Sequence, residues 1–217
     1  MLGKFKNIFF DFDGVLAESV QVKAEAFYSL YEPYGHKVAN KVKQHHYENG
    51  GVSRFEKIAF CHKEYLGLIL SKEEILVKAQ EFSNLVLQGV INSPEVSGAS
   101  LFLKKHVSRL KFWIITGTPT SEIKTIVESR NMTSYFMDMY GSPETKTYWA
   151  NYIISKHHLD ASESLFIGDA VQDQQAAQNT GLTFILRDTP DNKNCFRGYS
   201  GLRLNDLTEL EEIILAL

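Results

Sequence analysis

Three aspartates in this chain stand where their carboxylates could share one site. Asp11 and Asp13 are separated by a single residue, so the two-residue period of a strand directs both to the same side of the chain. Asp169 follows another apolar run much later in the sequence. Three carboxylates in one site repel one another unless a cation neutralises them or some are protonated. Because no Cys or His accompanies them, this oxygen-rich set favours Mg²⁺.

Other residues supply groups that suit a phosphoryl ligand. Lys146 offers a point positive charge, Thr116 offers a hydroxyl, and Gly117 lets a backbone N–H come close to a ligand. Carboxylates, Mg²⁺ and a lysine are together the components of phosphoryl transfer, in which positioning and charge neutralisation provide most of the catalysis. The residue types therefore predict an enzyme of phosphoryl chemistry.

Short apolar runs predict the strands that must position these groups. Their near-continuous apolar character is typical of strands covered on both faces, as in a parallel sheet. Helices are expected between the later runs, one beginning at Pro119 with Thr118 as its N-cap, one beginning at Thr145, and one over residues 170–179 that ends at Gly181. The five runs are residues 5–10, 112–115, 136–140, 165–167 and 184–186.

The segment between the first two runs has a different pattern. Residues 17–96 show helical spacing of apolar residues and no convincing strand, with turn chemistry at residues 33–35, 49–51 and 92–94. The prediction is an α/β fold, a Rossmann-like parallel sheet flanked by helices, with an inserted α-helical cap domain. The core would comprise residues 1–16 and 97–217, and the cap residues 17–96. In such sheets ligands bind at the carboxyl ends of the strands, where the polar candidates stand.

Four motifs in this order resemble those of the haloacid dehalogenase-like (HAD) superfamily of phosphohydrolases. The first is Asp-x-Asp-Gly at residues 11–14, and the second is Thr116 after an apolar strand. The third is Lys146 before a helix, and the fourth is Gly-Asp-x-x-x-Asp at residues 168–173. The resemblance spans nearly the whole chain, and the position of the helical insertion is similar to that of the phosphoglycolate phosphatase and β-phosphoglucomutase branch.

The resemblance implies roles for the two aspartates of the first motif. Asp11 would be the nucleophile that forms an aspartyl-phosphate. Asp13 would be the general acid and base, protonating the leaving oxygen and then activating water, and its backbone carbonyl would also reach the Mg²⁺ ion. The carboxylate of Asp11 would be a further metal ligand.

The later motifs would bind the metal and the phosphoryl group. The resemblance implies that Asp169 is a direct metal ligand and that Asp173 either holds a metal-bound water or orients Lys146. Thr116, Gly117 and Lys146 would bind the phosphoryl group.

The insertion carries a candidate for substrate recognition. Residues 50–57 are similar to the substrate-specificity loop of that branch, where an arginine entering a helix binds a distal phosphate or carboxylate of the substrate. Arg54 is the corresponding residue, and Ser53 before it is expected to cap the helix. Tyr47 and Phe55 near this loop would line the substrate pocket or pack the cap. The paired histidines at 45–46 and 157–158 point in different directions on a helix, which argues against a metal site.

The function expected is a Mg²⁺-dependent phosphatase that hydrolyses a small phosphorylated metabolite through an aspartyl-phosphate intermediate. One alternative is a sugar phosphomutase of the β-phosphoglucomutase type, although the lysine motif lacks the proline that usually follows it there. A non-catalytic phosphate-binding protein is the other alternative. A dehalogenase is disfavoured because that branch lacks the second aspartate, which is Asp13 here.

Composition narrows the partners and the compartment. The 217 residues contain 23 Lys+Arg and 26 Asp+Glu, giving a net charge of −3 with no basic stretch, which disfavours a nucleic-acid partner. The two cysteines, Cys61 and Cys195, form no disulfide or zinc motif. No apolar run is long enough for a membrane span or a signal-peptide core. We therefore expect a cytoplasmic protein that is a monomer or a weak dimer.

Overall fold

The computed structural model of the protein describes residues 3–217 and is built on a parallel six-stranded sheet. The strand order is β3-β2-β1-β4-β5-β6, with every neighbouring pair parallel. The sheet confirms the predicted α/β class, and the first strand of the chain lies near its centre. The strands are β1 (Asn7–Phe10), β2 (Lys111–Pro119), β3 (Phe136–Ser142), β4 (Ser164–Gly168), β5 (Thr183–Arg187) and β6 (Leu202–Leu204).

Helices cover both faces of the sheet, which explains the apolar character of its strands. Alternate residues of β1 face opposite layers: Phe10 packs with Phe112 at a ring distance of 5.7 Å, whereas Phe9 stacks between Trp113 and Phe166. Full burial of such side chains stabilises the fold by roughly 1.5–3 kcal/mol each. The helices of this part are α5 (Ala99–His106), α6 (Thr120–Ser129), α7 (Lys146–His157), α8 (Val171–Thr180) and α9 (Leu210–Leu215).

The segment between β1 and α5 is helical, as its periodicity predicts. It contains α1 (Val20–Tyr31), α2 (His36–Glu48), α3 (Arg54–Leu66) and α4 (Lys72–Asn92). Ser53 caps α3 by accepting a hydrogen bond from the Glu56 backbone N–H, as expected. Ser71 and Glu74 form a capping box at the start of α4. We call these four helices and their connecting loops the helical insertion.

Two local predictions are wrong. Thr118 is not a helix N-cap, because β2 continues through Pro119 and α6 begins at Thr120. The Thr118 side chain is instead directed to a neighbouring strand end. The sequence analysis also missed β6, whose three residues are too few for a readable periodic pattern and are held as a strand only by pairing with β5.

Candidate active site

The register of the sheet brings the predicted motifs to one edge. Phe10 pairs with Ile114 of β2 and with Ile167 of β4, so Asp11 emerges between the ends of those two strands. The backbone N–H of Asp11 donates to the Ile167 carbonyl at 2.9 Å, which extends the pairing up to the aspartate itself. Asp169 follows β4 directly, whereas Thr116, predicted to follow an apolar strand, lies inside β2, which continues to Pro119. The local sequence makes the strands, and their parallel pairing gathers the functional groups.

Lys146 connects two of the carboxylates at this edge. Its Nζ lies 2.9 Å from Asp11 Oδ2 and 2.5 Å from Asp173 Oδ1, and all three side chains are at most 6% exposed. Asp173 Oδ2 accepts a hydrogen bond from the Ala170 N–H at 3.0 Å, so both of its oxygens are engaged. Burial would lower the pKa of Lys146, but Asp11 and Asp173 outweigh burial and raise it. Lys146 is therefore a fixed positive charge beside Asp11.

The carboxylates form a cluster whose chemistry suits a divalent cation. Asp11, Asp169 and Asp173 each offer an oxygen within 4.8 Å of the others. Burial, followed by the charges of Asp11 and Asp173, raises the pKa of Asp169 well above its ordinary value. Burial likewise raises the pKa of Asp173 to about 7. A hard cation would offset both the burial of these carboxylates and their mutual repulsion, so the donor set fits Mg²⁺.

Gly14 allows the cluster to be this compact. Its φ is +75°, a conformation that favours glycine, and a Cβ at this position would lie 2.1 Å from Asp169 Oδ2. The glycine of the first motif thus makes room for the aspartate of the fourth. This close approach gives a physical reason for the Asp-x-Asp-Gly pattern.

Asp13 lies apart from the cluster and belongs to a second hydrogen-bond network. Its carboxylate accepts from Ser19 Oγ at 2.6 Å, from Thr118 Oγ1 at 3.2 Å, and from Lys23 Nζ in a close ion pair. Lys23 also donates to Thr118 Oγ1 at 2.6 Å. Burial would raise the pKa of Asp13, but Lys23, followed by the two hydroxyls, holds it below its ordinary value. The side chain of Asp13 is thus not placed as a metal ligand beside the other three.

Thr116 and Gly117 line the same space between the sheet edge and the helical insertion. The buried Thr116 side chain accepts a hydrogen bond from the Thr118 N–H at 3.2 Å. Gly117 faces the loop before α3, since a Cβ on Gly117 would be 3.3 Å from the Gly51 carbonyl oxygen. The insertion therefore lies directly over the strand ends.

A cavity of about 50 Å³ separates Asp11 and Asp13 from the insertion. This volume has room for a few water molecules. The insertion contributes cationic and aromatic groups to its wall. They are Lys23, Phe27, His46, Tyr47, Arg54, Lys57 and Phe82.

Arg54 lines this cavity, but its guanidinium is engaged elsewhere. It donates to both carboxylate oxygens of Glu122 at 2.5 and 2.8 Å and to Ser83 Oγ at 2.5 Å. The side chains of Arg54 and Glu122 are 4% and 10% exposed. Arg54 thus joins α3 of the insertion to α6 beside the sheet. Its predicted role as a substrate ligand stays a prediction.

The sequence reasoning missed Lys23, Lys57 and Thr118. Both lysines could have been found from the sequence, because each lies on the apolar face of its helix. Lys23 accompanies Ala24 and Phe27 on α1, and Lys57 accompanies Ile58 on α3. A lysine on such a face is rarely buried without a function or a partner. Of the two aromatic residues near the predicted specificity loop, Tyr47 lines the cavity. Phe55 is partly buried and packs against the apolar cluster that the insertion shares with the sheet.

The chain is similar to known phosphatases over most of its length. A phosphoglycolate phosphatase of Vibrio parahaemolyticus is 27% identical over 187 residues, covering 81% of this chain and 80% of that protein. Solved structures with the same fold include a HAD hydrolase of Bacillus subtilis with bound magnesium, at TM-score 0.71 and 17% identity over 98% and 99% of the two chains. A candidate β-phosphoglucomutase of Bacteroides vulgatus matches at TM-score 0.76 and 19% identity, over 98% and 89%.

The sequence pattern of haloacid dehalogenase-like hydrolases matches residues 8–186. That range contains all four motifs, the strands that carry them and the entire helical insertion. The predicted family is confirmed, and the chain belongs to the haloacid dehalogenase-like hydrolases.

Proposed function

We propose that the protein is a Mg²⁺-dependent phosphatase that hydrolyses a small phosphorylated metabolite through an aspartyl-phosphate on Asp11. The observation that carries the proposal is the placement of Asp11: a buried carboxylate at the edge of the sheet, 2.9 Å from the Lys146 ammonium and beside Asp169. The Phe12 N–H donates to Asp11 Oδ1 at 2.7 Å and fixes the carboxylate in place.

In the first half of the reaction, a carboxylate oxygen of Asp11 attacks the phosphorus of the ester. The bond from phosphorus to the substrate oxygen breaks, and Asp13 in its protonated form donates a proton to that oxygen. Lys146 and the Thr116 hydroxyl would hold the phosphoryl oxygens. Asp173 contributes by fixing Lys146 in position.

In the second half, ionised Asp13 takes a proton from water, and the water oxygen attacks the phosphorus of the aspartyl-phosphate. The bond to Asp11 breaks, so phosphate leaves and the carboxylate is regenerated. The ion pair with Lys23 favours the ionised form of Asp13 that this half requires.

Mg²⁺ would be held by Asp11, Asp169 and the backbone carbonyl of Asp13, with Asp173 next to it, and would supply neutralisation of the phosphoryl charge. The cluster of raised-pKa carboxylates supports this assignment, since it is unfavourable without a cation. The magnesium-bound structure of a HAD hydrolase of the same fold is consistent with it.

The helical insertion, residues 17–96, would act as the cap over this site. Its loop at Gly51 approaches Gly117 and Gln172 of the core, closing the cavity over Asp11. A closed cap excludes water that could compete with the substrate.

The test is phosphate release across a panel of small phosphate esters, including phosphoglycolate, with and without Mg²⁺. We expect metal-dependent release by the native protein and none by Asp11→Asn. Asp160→Asn is the matched control, because Asp160 is exposed and asparagine can replace its capping hydrogen bond to Ser162. Equal activity of Asp11→Asn and the control would exclude the covalent mechanism.

A phosphomutase would also use Asp11 and Asp13. The protein shares its fold with a candidate β-phosphoglucomutase, so a phosphomutase is the second candidate function. Phosphate release without a bisphosphate activator argues against a mutase. A non-catalytic phosphate-binding protein would give neither release nor a trapped phospho-enzyme, while still binding phosphate esters.

A further inference from the structure

Asn192 is a buried amide in the wall of the cavity, on the loop between β5 and β6. The residue is 6% exposed, and its Nδ2 donates to the carbonyl oxygens of Asp169 and Arg187, each at 2.8 Å. Asn192 and Asp169 are 23 residues apart in the sequence. The Asn192 side chain therefore connects the first aspartate of the fourth motif to a loop that carries none of the four motifs.

These two carbonyl groups lie where the pairing of β4 with β5 ends. The last pair is Gly168 with Leu186, and Asp169 and Arg187 are the residues that follow them along the chain. Two carbonyl oxygens cannot bond to each other, and each needs a donor when it is removed from water. The NH₂ group of an asparagine has two N–H bonds, so Asn192 satisfies both oxygens and holds the two strand ends together.

The bond from Asn192 fixes the orientation of the peptide group that follows Asp169. The Asp169 carbonyl and the Ala170 N–H belong to this one planar group, and the Ala170 N–H donates to Asp173 Oδ2 at 3.0 Å. Asn192 thus holds the oxygen side of the plane, while Asp173 holds its nitrogen side. Because the plane is held on both sides, the direction in which the Asp169 side chain leaves the backbone is restricted.

The Asp169 carboxylate has no comparable support of its own. Within residues 3–217, no N–H or O–H group donates a hydrogen bond to its oxygens. One of these oxygens lies within 4.8 Å of oxygens of Asp11 and Asp173, whose negative charges repel it. The position of Asp169 in the cluster before a cation binds therefore depends on how its backbone is held.

A role in the loop alone does not account for the amide nitrogen of Asn192. Its Oδ1 accepts from the Thr189 N–H at 2.9 Å, and its backbone N–H donates to Thr189 Oγ1 at 3.2 Å. These two bonds close the turn of the loop without Nδ2. Both N–H bonds of Nδ2 are directed to carbonyl oxygens, so the amide has no donor left for a substrate.

We propose that Asn192 is a positioning residue that holds Asp169 in the carboxylate cluster and thereby increases the affinity of the site for Mg²⁺. This inference rests on the metal site of the proposed function. Groups that orient a metal ligand typically contribute about 10- to 100-fold to metal affinity. Since Asn192 acts through Asp169, its effect is on the metal and not on recognition of the ester.

The test is Mg²⁺ binding to the substrate-free protein, measured by calorimetry. Asn192→Leu keeps roughly the size of the side chain and removes both donors, so its dissociation constant for Mg²⁺ should rise about 10- to 100-fold. Asn194→Leu, at an exposed asparagine of the same loop, is the matched control and should bind Mg²⁺ like the native protein. Thermal unfolding without metal verifies that each variant is folded.

Asn192→Asp separates the hydrogen bonds from the effect of charge. Its carboxylate still accepts from the Thr189 N–H but, when ionised, has no donor for the two carbonyl oxygens. The added negative charge by itself attracts a cation and would tighten Mg²⁺ binding. We expect weaker binding, which assigns the effect to the lost donors. If Asn192→Leu does not fold, this variant, which keeps the turn, decides the test alone.

Kinetics supply a second measurement that a purely structural role would not change. In both Asn192 variants, the Mg²⁺ concentration for half-maximal rate should rise by the same factor as the dissociation constant, while KM for the ester at saturating Mg²⁺ stays close to the native value. A lower kcat with an unchanged Mg²⁺ dependence overturns the inference. Native Mg²⁺ affinity in folded Asn192→Leu, or tighter binding by Asn192→Asp, also overturns it.

Failure of the proposed function can be told apart from failure of this inference. If the native protein binds Mg²⁺ but hydrolyses no ester, the phosphatase function fails, and calorimetry still decides the role of Asn192. If the native protein binds no Mg²⁺, the metal requirement and the inference fail together.

Discussion

Lys23 is the residue whose contact with Asp13 bears most directly on acid-base chemistry. The ion pair, with the Ser19 and Thr118 hydroxyls, holds the pKa of Asp13 below its ordinary value although the carboxyl is buried. Asp13 is consequently ionised in the resting site, which is the form that can accept a proton. In the proposed mechanism Asp13 must also be protonated to serve the leaving group, so Lys23 would influence both half-reactions.

Replacing Lys23 with Met is expected to raise the pKa of Asp13, because burial then acts without the opposing charge. Because the first half-reaction, which determines kcat/KM, requires protonated Asp13, the alkaline limb of the kcat/KM profile against pH should move to higher pH. The profile of Lys43→Met, a surface lysine paired with Glu25, is the control. A decrease in kcat/KM with an unmoved alkaline limb would assign Lys23 to positioning alone.

Between elements, the ion pair of Arg54 and Glu122 is the main polar connection that ties α3 to α6. Both side chains are buried, and Ser83 of α4 donates to the same Glu122 oxygen at 2.7 Å. Burial would raise the pKa of Glu122, but Arg54 and Ser83 hold it below its ordinary value. This ion pair thereby fixes the helical insertion to α6 beside the sheet. Arg54 would have to break it in order to bind a substrate.

Arg54→Met leaves Glu122 buried without its cation, so the free energy of unfolding should fall by about 3–5 kcal/mol. The double variant Arg54→Met/Glu122→Met should lose much less, because no charge is left unpaired. Urea unfolding of the four proteins of this cycle measures the coupling. Unchanged stability of Arg54→Met, together with a raised KM, would instead support the substrate-binding role predicted from the sequence.

Two adjacent glycines in the loop before α3 offer a test of cap closure. A Cβ on Gly51 would lie 2.8 Å from the Gln172 side chain, whereas a Cβ on Gly50 would lie 3.8 Å from Ala170, an ordinary contact. Gly51→Ala should therefore hinder approach of the insertion to the core and raise KM severalfold, while Gly50→Ala should not. Steady-state kinetics with thermal unfolding distinguishes closure from folding, and equal kinetics of both variants would contradict this role.

At the scale of the whole molecule, the buried carboxylate cluster couples stability to pH and, if it binds Mg²⁺ as proposed, to the metal. The folded-state pKa of Asp173 is about 7, against an ordinary value of 3.8, and that of Asp169 is also raised. Between these pH values the folded protein holds more protons than the unfolded chain, so this contribution to stability is lost as pH rises toward 7 and above. Burial is the main cause of the raised pKa values and repulsion adds to it; a bound cation would offset both.

The stabilisation by Mg²⁺ is therefore expected to grow with pH. Thermal unfolding at pH 5.5 and pH 8, with and without Mg²⁺, should give the larger increase in Tm at pH 8. Asp169→Asn should reduce the increase at pH 8, and Asp160→Asn should leave it intact. An equal increase in Tm on addition of Mg²⁺ at both pH values would argue that the metal does not bind at the carboxylate cluster.

The helices of residues 3–217 include none with both the length and the apolar character needed to cross a lipid bilayer.

The buried apolar residues form one cluster on each face of the sheet, and the insertion shares the cluster that contains Phe10 and Phe112. The insertion and the sheet are thus joined by apolar packing as well as by the ion pair of Arg54 with Glu122.

By itself, the sequence determined the α/β fold, the helical insertion and the family, because apolar periodicity, turn residues and ordered motifs are local properties of the chain. Asp11 and Asp169 could be placed at strand ends for the same reason, whereas Thr116 lies inside β2. Only the tertiary structure decided which side chains meet across the cavity, since contacts between residues far apart leave no periodic signal. The pairing of Arg54 with Glu122 and the contact of Lys23 with Asp13 both arise from the packing of the insertion onto the sheet.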